Sequence, residues 1–177
     1  AKCFYCFHLL SFQITDRWRF APDETDDKLL FMNTQETQRL VNKAEKLCEQ
    51  RGARLTPARR EVFEILAEQE GAIGAYDLLD KLKAAVPNAK PPTIYRALDF
   101  LQEQGFVHKI TSSNSYVLCS HFDHQHPVQM LICERCGSVQ EIQSDGVYDA
   151  LKKQAEGQGF LVASQTIEAH GLCKDCR

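Results

Sequence analysis

Cys133 and Cys136, then Cys173 and Cys176, form two C-x-x-C pairs with 36 residues between them. Four thiolates carried on two such turns can close a tetrahedral site around Zn²⁺, because the two-residue spacer lets both sulfurs of a pair face one ion. Turn chemistry accompanies each pair, with Gly137 after Cys136 and Gly171 shortly before Cys173. Disulfides and redox C-x-x-C chemistry are the competing uses of the motif; two matched pairs favour a structural zinc. With every coordination position taken by protein, such a site holds a fold together and performs no reaction.

A second group of metal-ligand types lies upstream. Four of the six histidines fall in residues 108–126 (His108, His121, His124 and His126), with Cys119 among them and Glu141 beyond. A lone histidine on a strand is usually a surface residue. Here His108 and Cys119 fall on the two strands of an expected hairpin, so they converge near its base. A Cys/His-rich segment with a carboxylate nearby suits Zn²⁺ better than Mg²⁺ or Ca²⁺.

These residues need elements to position them. Leu40, Val41, Ala44, Leu47 and Cys48 repeat at helical spacing over 34–51, closed by Gly52, and Cys48 reads as core. Thr56-Pro57 predicts a helix start with a hydroxyl cap, and Val62, Phe63, Leu66 and Ala67 its buried stripe. A third helix over 75–86 carries Tyr76, Leu78, Leu79, Leu82 and Val86. A fourth begins at Pro91-Pro92-Thr93, turns Ile94, Ala97, Leu98 and Leu101 inward, and stops at Gly105. The period then changes to a hairpin over 106–110 and 116–118. Helices followed by a hairpin make a winged helix-turn-helix, whose last helix enters the major groove. Tyr95, Arg96 and Asp99 face away from its core, and an arginine there can fork onto guanine while a ring meets a thymine methyl.

The second half reads as a separate small α/β domain: strands at 128–132 and 139–142, a helix over 145–156 with Val147, Ala150, Leu151 and Ala155, and strands at 160–163 and 165–169. The expected fold class is therefore α+β, with a winged-helix domain over 32–118, a hinge over 119–126 and a zinc-pinned domain over 127–177. Residues 1–31, including a third C-x-x-C at Cys3 and Cys6, are expected to be an upstream or disordered extension, with the native start at Met32.

Composition bounds the function. Across 177 residues, 44% hydrophobic content supports a globular core, and no apolar run approaches a membrane span. Eight cysteines, four of them at zinc-like spacing, point to a reducing cytoplasm. The net charge of −3 alone argues against nucleic acid, but residues 33–118 hold 12 Lys/Arg against 11 Asp/Glu, whereas 119–177 hold 5 against 8. Arg51, Arg54, Arg59 and Arg60 fall within ten residues free of acids. That cluster bears on DNA only when set beside a reading helix. There is no H-E-x-x-H, nucleophile elbow or P-loop, so an enzyme, including a zinc hydrolase, is disfavoured, and no small-molecule substrate is implied.

Thr56-Pro57-Ala58-Arg59, Pro92-Thr93-Ile94-Tyr95-Arg96-Ala97-Leu98, Gly105-Phe106-Val107-His108 and the two C-x-x-C pairs together resemble the ferric-uptake-regulator family of metal-sensing repressors. Ala75-Tyr76-Asp77-Leu78-Leu79, Asn114 to Cys119 and Ile167 to Cys173 are most similar to its zinc-uptake branch. The resemblance runs over about 35–177. It implies a homodimer bound to double-stranded operator DNA and two zinc ions per chain. One zinc is structural (Cys133, Cys136, Cys173, Cys176) and one regulatory (His108, Cys119, His126, Glu141). Counting back from Cys133 favours His126, with His124 and His121 as alternatives. Tyr95 and Arg96 match the base-reading pair, with Arg59 and Thr93 as further DNA contacts. Iron- or peroxide-sensing members are the alternative; they place more histidine and aspartate at the regulatory site, and the Cys119 thiol favours zinc. Asp80 and Lys83, at i and i+3, are a surface pair or a bridge between dimers on DNA, and His170 is expected to be structural.

Overall fold

A computed structural model of the protein describes the backbone of residues 24–124 and 126–177, with side chains from residue 34 onward. Helix α1 runs from Glu24 to Gln50, so residues 24–31 are helical and no break occurs at Met32. The physical reason is local: 24–50 holds neither proline nor glycine. Residues 1–23, with Cys3 and Cys6, lie outside the described residues. Gly52, at φ +65°, lets the chain reverse after α1.

Helix α2 (Pro57–Glu68) starts behind an extended Thr56, as expected, but the Thr56 hydroxyl makes no cap bond; proline at the first position, which needs no N–H partner, carries the start. Helices α3 (Ala75–Ala85) and α4 (Pro91–Glu103) follow. Val41, Phe63, Leu66, Leu78, Leu82, Leu98 and Leu101 form one core. Tyr76, at the start of α3, stands 68% exposed. Strands β2 (Val107–Ile110) and β3 (Ser115–Leu118) make the hairpin, and a two-residue strand β1 (Ile73–Gly74) adds to its edge in the order β1-β3-β2. The hairpin is fastened to α4, since the Phe106 N–H donates to the Leu101 carbonyl at 2.8 Å and the Cys119 N–H to the Phe106 carbonyl at 2.9 Å.

The second sheet has the order β5-β4-β6, with β4 (Val128–Cys133) antiparallel to β5 (Val139–Ile142) and parallel to β6 (Thr166–Gly171). Helix α5 (Asp145–Gly157) makes the crossover that a parallel pair requires. No residue of α5 is buried, and Val147 and Leu151 stand exposed. One expectation needs correction here: residues 160–163 form no strand, and Phe160 and Leu161 stand 65% and 83% exposed. Apolar patterning reports which faces favour burial, and among the described residues nothing covers these.

Candidate metal and nucleic-acid sites

The first cluster is built by sheet register. Cys133 ends β4 opposite Gly171 of β6, so the parallel strands deliver both cysteine pairs to one edge. The first knuckle turns through Gly137 at φ +72°, with its N–H donating to the Cys133 carbonyl at 2.9 Å. The Glu134 N–H donates to the Gly171 carbonyl at 2.8 Å and ties one knuckle to the strand that precedes the other. The sulfurs of Cys133, Cys136, Cys173 and Cys176 all lie within 4.8 Å of one another. Cys136 and Cys173 are 3.8 Å apart, close to the roughly 3.8 Å that Zn–S bonds of about 2.3 Å impose in a tetrahedron. Backbone N–H groups of Cys136 and Cys173 hold the Cys133 thiol down at about 6, and the Ser138 hydroxyl lowers Cys136. Cys176 is pushed up to about 12, first by its bond with Cys173. Cys133 is thus biased toward thiolate and Cys136 is shifted the same way, while Cys176 gives up its proton only beside a cation, which suits a closed thiolate site.

The second cluster spans both sheets. His108 comes from β2, Cys119 directly follows β3, His126 lies in the connection, and Glu141 is on β5; their ligand atoms also lie within 4.8 Å of one another. His108 Nε2 is 3.2 Å from Glu141 Oε1, His126 Nε2 is 2.5 Å from the same oxygen, and Cys119 Sγ is 3.5 Å from His126 Nε2 and 3.8 Å from Glu141 Oε1. Tetrahedral bonds of about 2.0–2.3 Å separate ligands by roughly 3.3–3.8 Å, so the His108–Glu141, Cys119–His126 and Cys119–Glu141 separations suit a zinc ion, while the His126–Glu141 pair would have to open. Burial raises the Glu141 carboxyl, but bonds from His108, the Ser120 N–H and His126 outweigh it and hold the group at about 2. Burial pushes the Cys119 thiol up to about 12, against the lowering effect of the His121 N–H, with Glu141 adding to the rise. A fixed carboxylate and a thiol that ionises only against positive charge match a cation-binding centre.

Of the three histidines left open by spacing, the structure brings His126 into this cluster. Its Nδ1 lies 3.1 Å from the His124 carbonyl, which turns Nε2 toward the other donors. The side chain of His124 instead pairs with Asp123 at 3.0 Å, and His121 contributes its backbone N–H to Cys119. Sequence reasoning missed the residue that fixes this connection. Phe122 is 2% exposed and packs edge-on against Phe63 and Phe106, at 5.8 and 5.3 Å between ring centres. The segment read as a hinge is therefore anchored in the first core at its middle. A single aromatic ring among histidines was the available signal.

On α4, Ile94, Ala97, Leu98 and Leu101 are buried, while Tyr95, Arg96 and Asp99 face outward. Thr93 accepts the Lys90 N–H at 3.4 Å and closes the helix start. Arg59 lies 3.6 Å over the Phe100 ring and donates to the Arg54 carbonyl at 2.8 Å, so its guanidinium braces α2 against α4. The arginine cluster is thus divided. Arg51 donates to the Gln104 carbonyl at 2.6 Å and Arg60 pairs with Glu45 and Glu64 at 2.7 and 2.9 Å, whereas Arg54 stays exposed. Asp80 and Lys83 pair within α3 at 2.7 Å.

The sequence model of the ferric uptake regulator family matches residues 50–170. The chain is similar to the zinc uptake regulation protein of Escherichia coli, at 57% identity over 141 residues that cover 79% of this chain and 82% of that one. It is also similar to the zinc uptake regulation protein of Mycobacterium tuberculosis, at 33% identity over 71% of this chain and 96% of the relative. Among solved structures, a zinc uptake regulator complexed with zinc and DNA aligns with a TM-score of 0.77 and 56% identity, over 78% of this chain and 93% of that one.

Proposed function

The chain belongs to the ferric uptake regulator family, and from that premise we propose that it is a zinc-responsive transcriptional repressor. It binds operator DNA as a homodimer when its regulatory zinc site is filled, and so controls zinc-uptake genes. The observation that carries this reading is the composition of the bridging cluster: His108 belongs to the wing, Cys119 and His126 to the connection that follows it, and Glu141 to the second sheet. The sulfur-containing donor set favours zinc over iron. The similarity to a zinc uptake regulator solved with zinc and DNA supports both ligands.

Two zinc ions per chain follow from this reading, a structural one on Cys133, Cys136, Cys173 and Cys176 and a regulatory one on His108, Cys119, His126 and Glu141. Bound at the second site, zinc supplies a positive centre shared by donors from both halves. The rest is done by the chain. Glu141 is held ionised between two imidazoles, Cys119 gives up its thiol proton, and the His124 carbonyl keeps His126 aimed inward. The wing and β5 can then no longer turn independently. Two recognition helices must sit about 34–36 Å apart to enter successive major grooves, so a fixed angle between the halves decides whether a dimer fits. Moving that equilibrium from about 1:99 to 99:1 takes a preference of about 10⁴-fold, near 5.5 kcal/mol.

The domains are the winged helix over 32–118, the connection over 119–126 and the dimerisation unit over 127–177. Exposed Leu131, Val147, Leu151, Phe160, Leu161 and Leu172 support a second copy as the cover for the latter. Tyr95 and Arg96 read base edges, and Thr93 and Arg59 set the start and the seat of their helix. A four-ligand closed centre leaves no position for substrate, so the protein is a regulator and not an enzyme. Its reduced thiols suit the cytoplasm. The test uses a duplex selected from a random library by the zinc-loaded protein. Zn²⁺ and Fe²⁺ are titrated into the metal-stripped dimer while retention of that duplex is followed. Retention driven by Zn²⁺ at two ions per chain is expected; undiminished retention without metal refutes the proposal.

A further inference from the structure

The bridging cluster is one place where the second sheet grips the wing, and Glu168 makes another. In register, Met130 of β4 is paired with Glu141 of β5 on one side and with Glu168 of β6 on the other. Directly paired residues share a face of a sheet, so Glu141, Met130 and Glu168 form one row across it. Met130 is 1% exposed at the centre of that row. Glu141 holds the base of the wing through His108 and the Ser120 N–H. Glu168 holds its tip: Oε1 accepts the Thr111 N–H at 2.6 Å and Oε2 accepts the Ser112 N–H at 3.1 Å. The Glu168 side chain is only 13% exposed, and His170 lies 3.9 Å from it on the same strand.

The spacing is self-consistent. The outer strands of a three-stranded sheet are about 9.6 Å apart, and three residues of strand rise about 10 Å. The two carboxylates therefore match the distance from residue 108 to residue 111 along β2. One attachment leaves a strand free to pivot; two set its direction. Because the hairpin is hydrogen-bonded to the end of α4 through Phe106, the direction of β2 is also the direction of the recognition helix.

We infer that Glu168 is a positioning residue for operator binding, a metal-independent carboxylate latch on the wing tip that turns occupancy of the bridging cluster into a fixed wing direction. The inference rests on the repressor reading above. The chain that carries this contact aligns as a whole with the relative solved with zinc and DNA, at a TM-score of 0.77; on the inference, the latch belongs to the DNA-competent state and its loss weakens DNA binding.

The test compares the full-length wild type, Glu168→Ala and Glu168→Gln, using the duplex selected by the zinc-loaded wild type. Native mass spectrometry counts zinc, a thermal melt checks folding, and amide exchange is followed at Thr111 and Ser112. Glu168→Ala is expected to keep its zinc and its melt while its affinity for the duplex at saturating zinc falls about tenfold, near 1.4 kcal/mol. Glu168→Gln, which retains a carbonyl acceptor, is expected to lie between. Full zinc-dependent affinity in Glu168→Ala overturns the inference. If Glu168→Ala loses zinc or its cooperative melt, the wild type decides: slow exchange at both amides in the zinc-loaded protein supports the latch, and exchange at free-loop rates overturns it. If the zinc-loaded wild type retains no duplex at all, the repressor reading has failed, and the amide measurement still decides whether Glu168 holds the wing.

Discussion

The two donor clusters use overlapping chemistry in opposite settings. Cys133, Cys136, Cys173 and Cys176 sit at one edge of one sheet, with Cys136 exposed and every ligand within 44 residues of chain. His108, Cys119, His126 and Glu141 are more deeply enclosed, with side chains of His108, His126 and Glu141 at 12%, 7% and 5% exposure, and they draw on both sheets. The first joins elements that β4 and β6 already hold in register, so an ion there stabilises a structure without choosing between arrangements. The second joins elements whose relative direction is otherwise set by a linker and a few polar contacts. What separates a structural from a regulatory site is thus the placement of the donors relative to the boundary between units, more than the identity of the ligands.

The sharpest way to break this comparison is to damage each side. Cys133→Ser removes the sulfur at the end of β4 and is expected to unfold the second sheet, because binding free energy at a structural zinc is folding free energy, of order 10 kcal/mol. Loss of cooperative melting and of the dimer in sedimentation checks it, and a well-folded dimer holding one zinc would sink the structural assignment. Phe122→Ala attacks the anchor between the clusters. Truncating a buried aromatic ring costs about 3–5 kcal/mol, read as a lower denaturant midpoint, with weakened zinc dependence because the connection is released at its centre.

Much of this arrangement was legible in the sequence, and the failures have physical causes. Proline at 57 and 91 and glycine at 52 and 105 punctuate the helices, so α2, α3 and α4 lie where spacing put them. β1, at two residues, is too short to carry a period and exists only because β3 offers it an edge. The arginine cluster looked like one basic patch, yet charge counting cannot see Glu45, Glu64 or the Phe100 ring, which engage Arg60 and Arg59. His126, His124 and His121 were equivalent as residue types, and the backbone carbonyl of His124 distinguishes them. Glu168 stood out only as one residue of the stretch Ile167 to Cys173, and its role carried no signal, since its partners are main-chain amides 56 and 57 residues away.

Cys119→Ser tests the other side of the comparison with a smaller effect. The fold and the structural zinc are expected to persist while zinc-dependent operator affinity falls about 100-fold, within the usual range of coupling between sites. Native mass spectrometry should then count one zinc per chain. The same thiol sets a pH dependence. With its folded value at about 12, Cys119 is protonated at neutral pH before metal enters and releases that proton on binding. Affinity at the bridging cluster should therefore rise by at least about tenfold per pH unit between 6 and 8. Glu141, already ionised down to about 2, adds nothing to that slope. A flat competition titration across this interval would mean that Cys119 is not a ligand.

The smallest expected effect lies at the surface beside the anchor. Lys43 pairs with Asp123 at 3.0 Å and lies 5.0 Å from the Phe122 ring centre, but both side chains of the ion pair are nearly half exposed, at 46% and 48%. Solvent screens such a pair, and its net value is about 0.2–1 kcal/mol. Lys43→Ala should therefore shift thermal stability slightly, lose that difference in high salt, and change zinc-dependent DNA affinity by less than about threefold. A larger change, and one that high salt abolishes even in wild type, would locate the tether of residues 119–126 in charge at the surface and not in the buried ring of Phe122. The comparison would then have to be redrawn, because the angle between the units would be set by an interaction that salt can dissolve, whereas the aromatic anchor leaves it to the metal cluster.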